Sequence, residues 1–213
     1  MTFLPDLATL AAFTLAGFVL TITPGPDMAL FIGRTLAEGR SAGFAAMLGA
    51  ASGVVVHTTL AAFGLSALLA ASPNAFFALK LAGGLYLLWL AFQAVRHRSA
   101  LKFDTQSGAG RRSLRRHWLT GLGINLLNPK IILFFVTFLP QFVSAGDAHA
   151  AGKLFFLGLY FIALAVPLSS LMILGAERLA ASLKRRPRIM RGLDWLFASV
   201  FSAFAVNILL ART

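Results

Sequence analysis

The sequence predicts an all-α integral membrane protein of six transmembrane helices, arranged as a 3+3 inverted repeat with helices 1 and 4 broken at proline motifs. Of its 213 residues, 58% are hydrophobic and 12% are charged, whereas a soluble domain is nearer half apolar and a quarter charged. Several apolar runs reach the roughly 20 residues that span a bilayer. Two of these runs are interrupted by proline, within 23–27 and 128–130.

The element order follows from the apolar runs and the polar segments between them. We predict one transmembrane domain, 1–213, with pseudo-repeats at about 1–95 and 118–213 and a basic connector at about 96–117. The first run has no basic flank and is too long for a signal-peptide core, so we expect a retained span. The predicted spans are 7–33, 43–71, 74–95, 118–142, 154–176 and 193–210.

The basic residues predict the orientation. Two lie in the loop after span 1, seven between spans 3 and 4 and six between spans 5 and 6, so 15 of the 19 Lys and Arg share one face. By the positive-inside rule this face is cytoplasmic and both termini lie outside. These residues are Arg34, Arg40, Arg96, Arg98, Lys102, Arg111, Arg112, Arg115, Arg116, Arg178, Lys184, Arg185, Arg186, Arg188 and Arg191.

The net charge of +12 raises the question of nucleic acid. Because the charge is concentrated in short loops, we favour an orientation signal that contacts anionic membrane lipid, and we expect no nucleic-acid partner. The sequence contains no cysteine, which excludes disulfides, thiolate metal sites and thiol relays. We expect no cofactor, no metal site and no catalytic residue.

Short sequence echoes indicate the inverted repeat. Thr23-Pro24 in span 1 is matched by Asn128-Pro129 in span 4, while spans 3 and 6 show no convincing echo. Because each half has three spans, the second half enters the membrane in the opposite sense. Spans 2 and 5 open with the same pattern, Ala42-Gly43 then Leu48-Gly49 and Ala151-Gly152 then Leu157-Gly158.

The two breaks are predicted to meet near the membrane midplane. Thr23 lies 11 residues from Arg34, and Asn128 lies 11 residues from His117, which is roughly 16 Å at about 1.5 Å per residue. The apolar core of a bilayer is about 30 Å thick. Broken helices persist in a membrane only inside protein or beside a water-filled cavity, and paired breaks point to a transporter's binding site.

Each break is predicted to start a new half-helix. Thr23 and Asn128 are good N-cap residues, and proline costs little at the first helical position because its missing N–H has no partner there. Pro24 and Pro129 would therefore begin the half-helices. The unpaired N–H groups and positive dipole ends at both breaks form a natural anion site, which suits the carboxylate of an amino acid.

Two charged residues are predicted inside the membrane beside the breaks. Asp27 follows Gly25 and Pro26 and is the one acid of seven placed within a span. A carboxylate at this depth normally faces a cavity or a partner, so Asp27 either binds an ammonium group, carries a proton, does both, or merely complements its own helix dipole. Lys130 opposes the dipole of its half-helix and either pairs with Asp27 or receives a substrate carboxylate.

Further candidates lie on neighbouring helical faces. Asn125 is three residues from Asn128, on the same face, and either lines the cavity or has no role there. His57 in span 2 titrates near neutrality and could relay protons, or it could simply bond a neighbouring helix. Small residues in span 2 fit close contact with the broken helices or with a second copy in a homodimer; they are Ala45, Gly49 and Gly53.

At these residues the chain resembles the LysE/RhtB family of amino-acid exporters, which are bacterial inner-membrane proteins of about this size. The resemblance implies efflux of amino acids or close derivatives, such as homoserine, threonine, lysine or homoserine lactone, by proton antiport. It carries function to Asp27, Asn128, Pro129 and Lys130. The motifs are 23–27, Gly39-Arg40, Gly43 with Leu48-Gly49, Leu81-Ala82-Gly83-Gly84 with Tyr86-Leu87, 125–130 and Phe138-Leu139-Pro140-Gln141-Phe142.

Three other functions compete with export. An electron relay is excluded because the chain has no cysteine, and an intramembrane aspartyl protease fits poorly because one predicted buried Asp is no dyad. A non-transporting assembly or signalling protein would use the basic loops as a docking face. That alternative gives no reason for two charges and two helix breaks at the midplane.

Overall fold

The computed structural model of the chain is helical throughout the residues it describes, which are 5–96, 113–143 and 147–210. Most of the predicted connector, including Arg98, Lys102, Arg111 and Arg112, lies outside these ranges. The α-helices are α1 Leu7–Ile22, α2 Pro26–Glu38, α3 Arg40–Leu60, α4 Ser66–Ala71, α5 Pro73–Arg96, α6 Leu114–Leu126, α7 Pro129–Leu133, α8 Ala150–Leu174, α9 Ala176–Arg185 and α10 Pro187–Leu210. A π-helical turn, Ala61–Leu65, joins α3 to α4, and another, Phe134–Phe138, follows α7 and leads into the 3₁₀ turn Leu139–Phe142.

The predicted multi-pass membrane fold is confirmed. Within the described ranges, four continuous helical segments are long and apolar enough to cross a bilayer, at Arg40–Ala71, Asn74–Arg96, Ala150–Leu174 and Arg188–Val206. Two more segments pass the same test as bent pairs. Helix α1 meets α2 at an angle of 49°, and α6 meets the segment Pro129–Phe142 at 51°. Counted this way, the described chain has six spans, with the first and fourth broken.

The first break differs from its prediction at Thr23. The hydroxyl of Thr23 donates to the carbonyl oxygen of Val19 at 2.6 Å, so Thr23 ends α1 and is not the N-cap of the next helix. The N-cap of α2 is Gly25, with Pro26 at the first helical position. Pro24 and Pro26 have no N–H to donate to a capping hydroxyl, and a threonine hydroxyl can instead donate to the carbonyl four residues back.

The second break follows its prediction. Asn128 is the N-cap of α7, and its side-chain oxygen accepts from the backbone N–H of Lys130 at 3.0 Å. Pro129 occupies the first helical position, where its missing N–H costs nothing. Two breaks of similar angle are thus closed by different local chemistry.

Helices α3 and α6 are in close contact because small residues remove side chains from their interface. A Cβ added at Gly49 would overlap the carbonyl group of Trp118, and one added at Gly121 would overlap that of Ala46. Gly53 faces the side chain of Asn125. The stripe of small residues in span 2 therefore seats the broken fourth span, and it provides no support for a homodimer.

One end of the protein is filled by aromatic rings. Phe13 of α1 lies between Phe134 and Phe142, with ring centroids 5.7 Å and 5.4 Å away. Phe138 is fully buried and lies 4.7 Å from Phe204 of α10, ring to ring. We call these rings the aromatic cluster; its members are Phe13, Phe134, Phe138, Phe142, Tyr160, Phe201 and Phe204.

The opposite end carries basic residues. Arg40 at the start of α3 donates to the carbonyl oxygen of Leu174, the last residue of α8, at 3.2 Å. The apolar face of α9 packs on α2 through Ala176 and Ala180. We call this the basic end, since its exposed basic residues include Arg40, Arg178, Arg185, Arg186, Arg188 and Arg191.

Candidate functional site

A cavity lies where the two breaks meet. Its volume is about 70 Å³, which holds roughly five to seven water molecules at about 10–15 Å³ each. Six predicted site residues line it, namely Thr23, Gly25, Asp27, Asn125, Asn128 and Lys130. The remaining predicted positions, Pro24, Pro26, Pro129 and His57, are not among its lining residues.

The cavity extends from the breaks towards the basic end. Phe31 of α2, Met47 of α3 and Met172 of α8 line it, and all three lie on the basic side of the breaks. In the other direction the aromatic cluster is buried and closely packed. The protein is therefore closed at the aromatic cluster and hollow on the basic side of the breaks.

Asp27 belongs to the first turn of α2 and points across to the other broken span. Its Oδ2 accepts a hydrogen bond from Nδ2 of Asn125 at 2.9 Å. Its Oδ1 is buried and accepts no hydrogen bond from any described residue. A carboxylate oxygen in this condition is a strong acceptor without a donor, and it belongs to a residue of the cavity wall.

Asn125 is fixed from two sides in the last turn of α6. Its Oδ1 lies against Gly53, where an added Cβ would come within 2.6 Å of that oxygen. Nε2 of His57 lies 3.4 Å from the backbone oxygen of Asn125, and the His57 ring stacks on Phe135 at 5.7 Å. His57 thus contacts the residue that holds Asp27, without reaching the cavity itself.

Lys130 reaches from the second break to the end of α1. Its Nζ donates to the carbonyl oxygens of Leu20 at 2.6 Å and Thr23 at 2.8 Å. It also lies 5.7 Å from the ring centre of Phe197 on α10. Lys130 and Asp27 are close enough for an electrostatic interaction, but no ion pair joins them among the described residues, so the structural pair and the binding of a substrate carboxylate both stay predictions.

The amide groups of the two breaks differ, which corrects the expectation of two anion-binding ends. After Asn128, the N–H of Lys130 bonds the Asn128 side chain, and those of Ile131 and Ile132 both bond the Asn128 carbonyl. The second break therefore offers no free amide. At the first break, the N–H groups of Asp27 and Met28 make no hydrogen bond with the described residues.

Asp194 is the second residue of the predicted sixth span, 193–210, and its burial was not predicted. Asp194 is only 4% exposed, and it is close enough to Lys130 for an electrostatic interaction. Helix α10 begins at Pro187, six residues before the predicted start of span 6, which carries Asp194 one to two turns into the helix. A predicted helix that included the basic residues before 193 would have placed Asp194 inside the helix.

A second buried group of charges was also missed. Nε2 of His117 in α6 lies 3.1 Å from Oε2 of Glu38 at the end of α2. Nη1 of Arg34 lies 3.5 Å from Oε1 of the same glutamate. These side chains tie the basic ends of both broken spans together. Sequence alone places Glu38 in the loop after span 1 and His117 next to the start of span 4, 79 residues apart, with no signal that they meet.

Comparison with known proteins agrees with this architecture over nearly the whole chain. The family model described as LysE type translocator matches residues 18–212. The chain is 30% identical over 201 residues to the homoserine/homoserine lactone efflux protein of Salmonella typhimurium, covering 94% of this chain and 96% of that protein.

Of two further relatives, one is named for the amino acid that it exports and the other is uncharacterized. The leucine efflux protein of Klebsiella pneumoniae is 27% identical over 89% of both chains. An uncharacterized membrane protein of Vibrio cholerae is 32% identical, over 92% of this chain and 94% of its own length. No solved structure matches the chain significantly.

Proposed function

The chain belongs to the LysE type translocator family, and we propose that it exports a small amino acid or a close derivative across the bacterial inner membrane in exchange for protons. One observation carries this proposal. A buried carboxylate oxygen of Asp27 without a donor lies in the wall of the same cavity as the ammonium of Lys130, between two broken spans. Relatives named for homoserine and leucine efflux are consistent with a substrate of this size.

The cavity is complementary to a zwitterion. Oδ1 of Asp27 can accept from a substrate ammonium group. Lysine has three N–H donors, and two of those on Lys130 are used by Leu20 and Thr23, so the third can bind a substrate carboxylate. The N–H groups of Asp27 and Met28 at the start of α2 are further donors for the same carboxylate.

Export follows from alternating access around this site. We propose that the basic end is cytoplasmic, by the positive-inside rule, and that both termini lie outside. The hollow between the breaks and the basic end then admits substrate from the cytoplasm, while the aromatic cluster closes the route outward. Opening of the aromatic cluster and closure of the basic end, where Glu38 meets His117, would release the substrate outside.

Proton coupling is proposed to reside at Asp27. A carboxylate that binds either a proton or a substrate ammonium group, but not both, gives exchange of one for the other. His57 is the candidate relay, because an imidazole can both accept and donate a proton and His57 contacts Asn125, which in turn binds Asp27. Exposed arginines at the basic end would meet anionic lipid headgroups.

A non-transporting docking protein is the competing function, and a flux assay separates the two. The purified protein is reconstituted into liposomes, and efflux of a panel of labelled amino acids is followed with and without an imposed pH gradient. Export predicts flux of at least one amino acid, accelerated when the outside is acidic. Absence of flux across the whole panel overturns the proposal. Flux that is indifferent to the pH gradient overturns antiport alone.

A further inference from the structure

We propose that the exported molecule has an uncharged side chain, and that the wall around Ser169 is the surface that receives it. This inference rests on the proposed export function and concerns the same cavity. It narrows the substrate class, because the substrates implied by the sequence resemblance range from lysine to homoserine lactone. The observation that supports this inference is the distribution of charge over the cavity wall.

The wall contains one acid and one base. Among the described residues that line the cavity, Asp27 and Lys130 alone carry charge. Both are engaged once the α-ammonium and α-carboxylate of an amino acid are bound. Asp194, the other buried acid near Lys130, is not part of the lining. A third charge, on the side chain of the substrate, would find no partner.

The part of the wall away from the breaks is apolar and adaptable. It is built from Phe31, Met47, Val166 and Met172, with Ser169 as its polar member. Methionine side chains adjust to different shapes, so this wall accepts aliphatic and short polar side chains alike.

Burial of an unpaired ion is expensive enough to decide selectivity. An ammonium or carboxylate moved from water into an apolar wall loses its hydration, and no counter-charge replaces it here. We therefore expect cationic and anionic amino acids to be transported with a kcat/KM about 100-fold or more below that of neutral ones.

A charged substitution at Ser169 would supply the missing counter-charge for a charged substrate side chain. It lies in α8, is 7% exposed, and its hydroxyl makes no hydrogen bond with the described residues. Ser169→Asp places a carboxylate in the wall of the same cavity. Ser169→Asn has nearly the same shape without the charge, and serves as the matched control.

The test is counterflow in proteoliposomes of the whole protein, with labelled leucine, homoserine, lysine and glutamate. The inference predicts flux of leucine or homoserine in the wild type, about 100-fold less of lysine and glutamate, and a gain of lysine flux in Ser169→Asp that Ser169→Asn lacks. Lysine flux within tenfold of the neutral substrates overturns the inference and leaves export intact.

Other outcomes also decide. Failure of Ser169→Asp to gain lysine flux, at wild-type abundance in the membrane, overturns the role of this wall. If that variant does not insert, the wild-type selectivity decides alone. Flux of none of the four substrates, together with none across the wider amino-acid panel, removes the export function itself, and the inference with it.

Discussion

The ammonium of Lys130 lies 2.8 Å from the carbonyl oxygen of Thr23, across the gap between the two broken spans. The last carbonyls of a helix have no intrahelical donors and carry the negative end of its dipole. A lysine that opposes the dipole of its own half-helix therefore stabilises the end of the other one. Asn125 makes the reverse connection, from the end of α6 to Asp27 at the start of α2.

The first prediction concerns Lys130→Gln. The variant loses the charged ammonium that donates two hydrogen bonds to helix-terminal carbonyls. Hydrogen bonds to charged groups contribute roughly 1.5–3 kcal/mol each. We expect a clearly lower thermal midpoint in detergent together with loss of transport. Lys80→Gln, which removes one bond to Val143, is the control and should shift the midpoint less. Equal midpoints for the two variants would contradict the proposed bridge.

The second prediction concerns Gly53→Ala. An added Cβ would come within 2.6 Å of Oδ1 of Asn125, and the side chain that bonds Asp27 must move. We expect transport to fall at least tenfold, which corresponds to about 1.4 kcal/mol of barrier. Gly123→Ala is the matched control, because nothing lies within 4 Å of its added Cβ. Initial efflux rates normalised to membrane abundance measure the difference, and equal rates would refute this role of Asn125.

The spans, the breaks and the residues around the cavity could be predicted from the sequence. Long apolar runs and prolines act locally, and equal spacing from the basic loops predicted that Thr23 and Asn128 lie at the same depth. Which groups Lys130 bonds could not be predicted, because a lysine side chain can reach acceptors on several helices. The same limit applied to Thr23, whose hydroxyl had two competing partners.

The buried polar groups at the basic end were beyond prediction for another reason. Glu38 and His117 each end a span, where charged residues are usually solvated, and only packing of α2 beside α6 brings them together. The inverted repeat stays a prediction. It is accompanied by one feature that the sequence comparison overlooked, since α5 and α10 both begin at a proline and both run for 24 residues.

The third prediction concerns Phe138→Ala in the aromatic cluster. Phe138 is fully buried, and loss of a buried phenyl ring costs roughly 3–5 kcal/mol. In the proposed mechanism the substitution also opens the outward route, so substrate should leak through the protein in both directions without exchange. Passive equilibration of a labelled neutral amino acid measures the leak. Phe63→Ala, at a site 67% exposed, is the control, and a tight Phe138→Ala variant would refute the closing role of the cluster.

The fourth prediction concerns pH and Asp147, outside the spans. Hydrogen bonds from Nζ of Lys153 at 2.7 Å and from the N–H of His149 at 2.9 Å hold the pKa of Asp147 below its usual value. The resulting stability is present above the unfolded pKa of about 3.9 and is lost as the pH falls through the lower folded pKa. It amounts to about 1 kcal/mol for this part-buried pair, at the upper end of the range for surface ion pairs.

Asp147→Asn should therefore be slightly less stable than the wild type at pH 7, with a difference that shrinks as the pH falls below about 4. Thermal midpoints in detergent at pH 7 and pH 3 measure this. A difference that stays constant over this range would show that the carboxylate charge contributes nothing.

The central claim is that the substrate binds between Asp27 and Lys130, in the cavity where the two helix breaks meet. Counterflow in proteoliposomes tests it most directly, because exchange of labelled for unlabelled substrate needs the binding site but no pH gradient. The account predicts that Asp27→Asn and Lys130→Gln each lower counterflow of a neutral amino acid at least tenfold, while Asp147→Asn, the same chemical change outside the cavity, keeps the wild-type rate. Wild-type counterflow in both Asp27→Asn and Lys130→Gln would contradict the account.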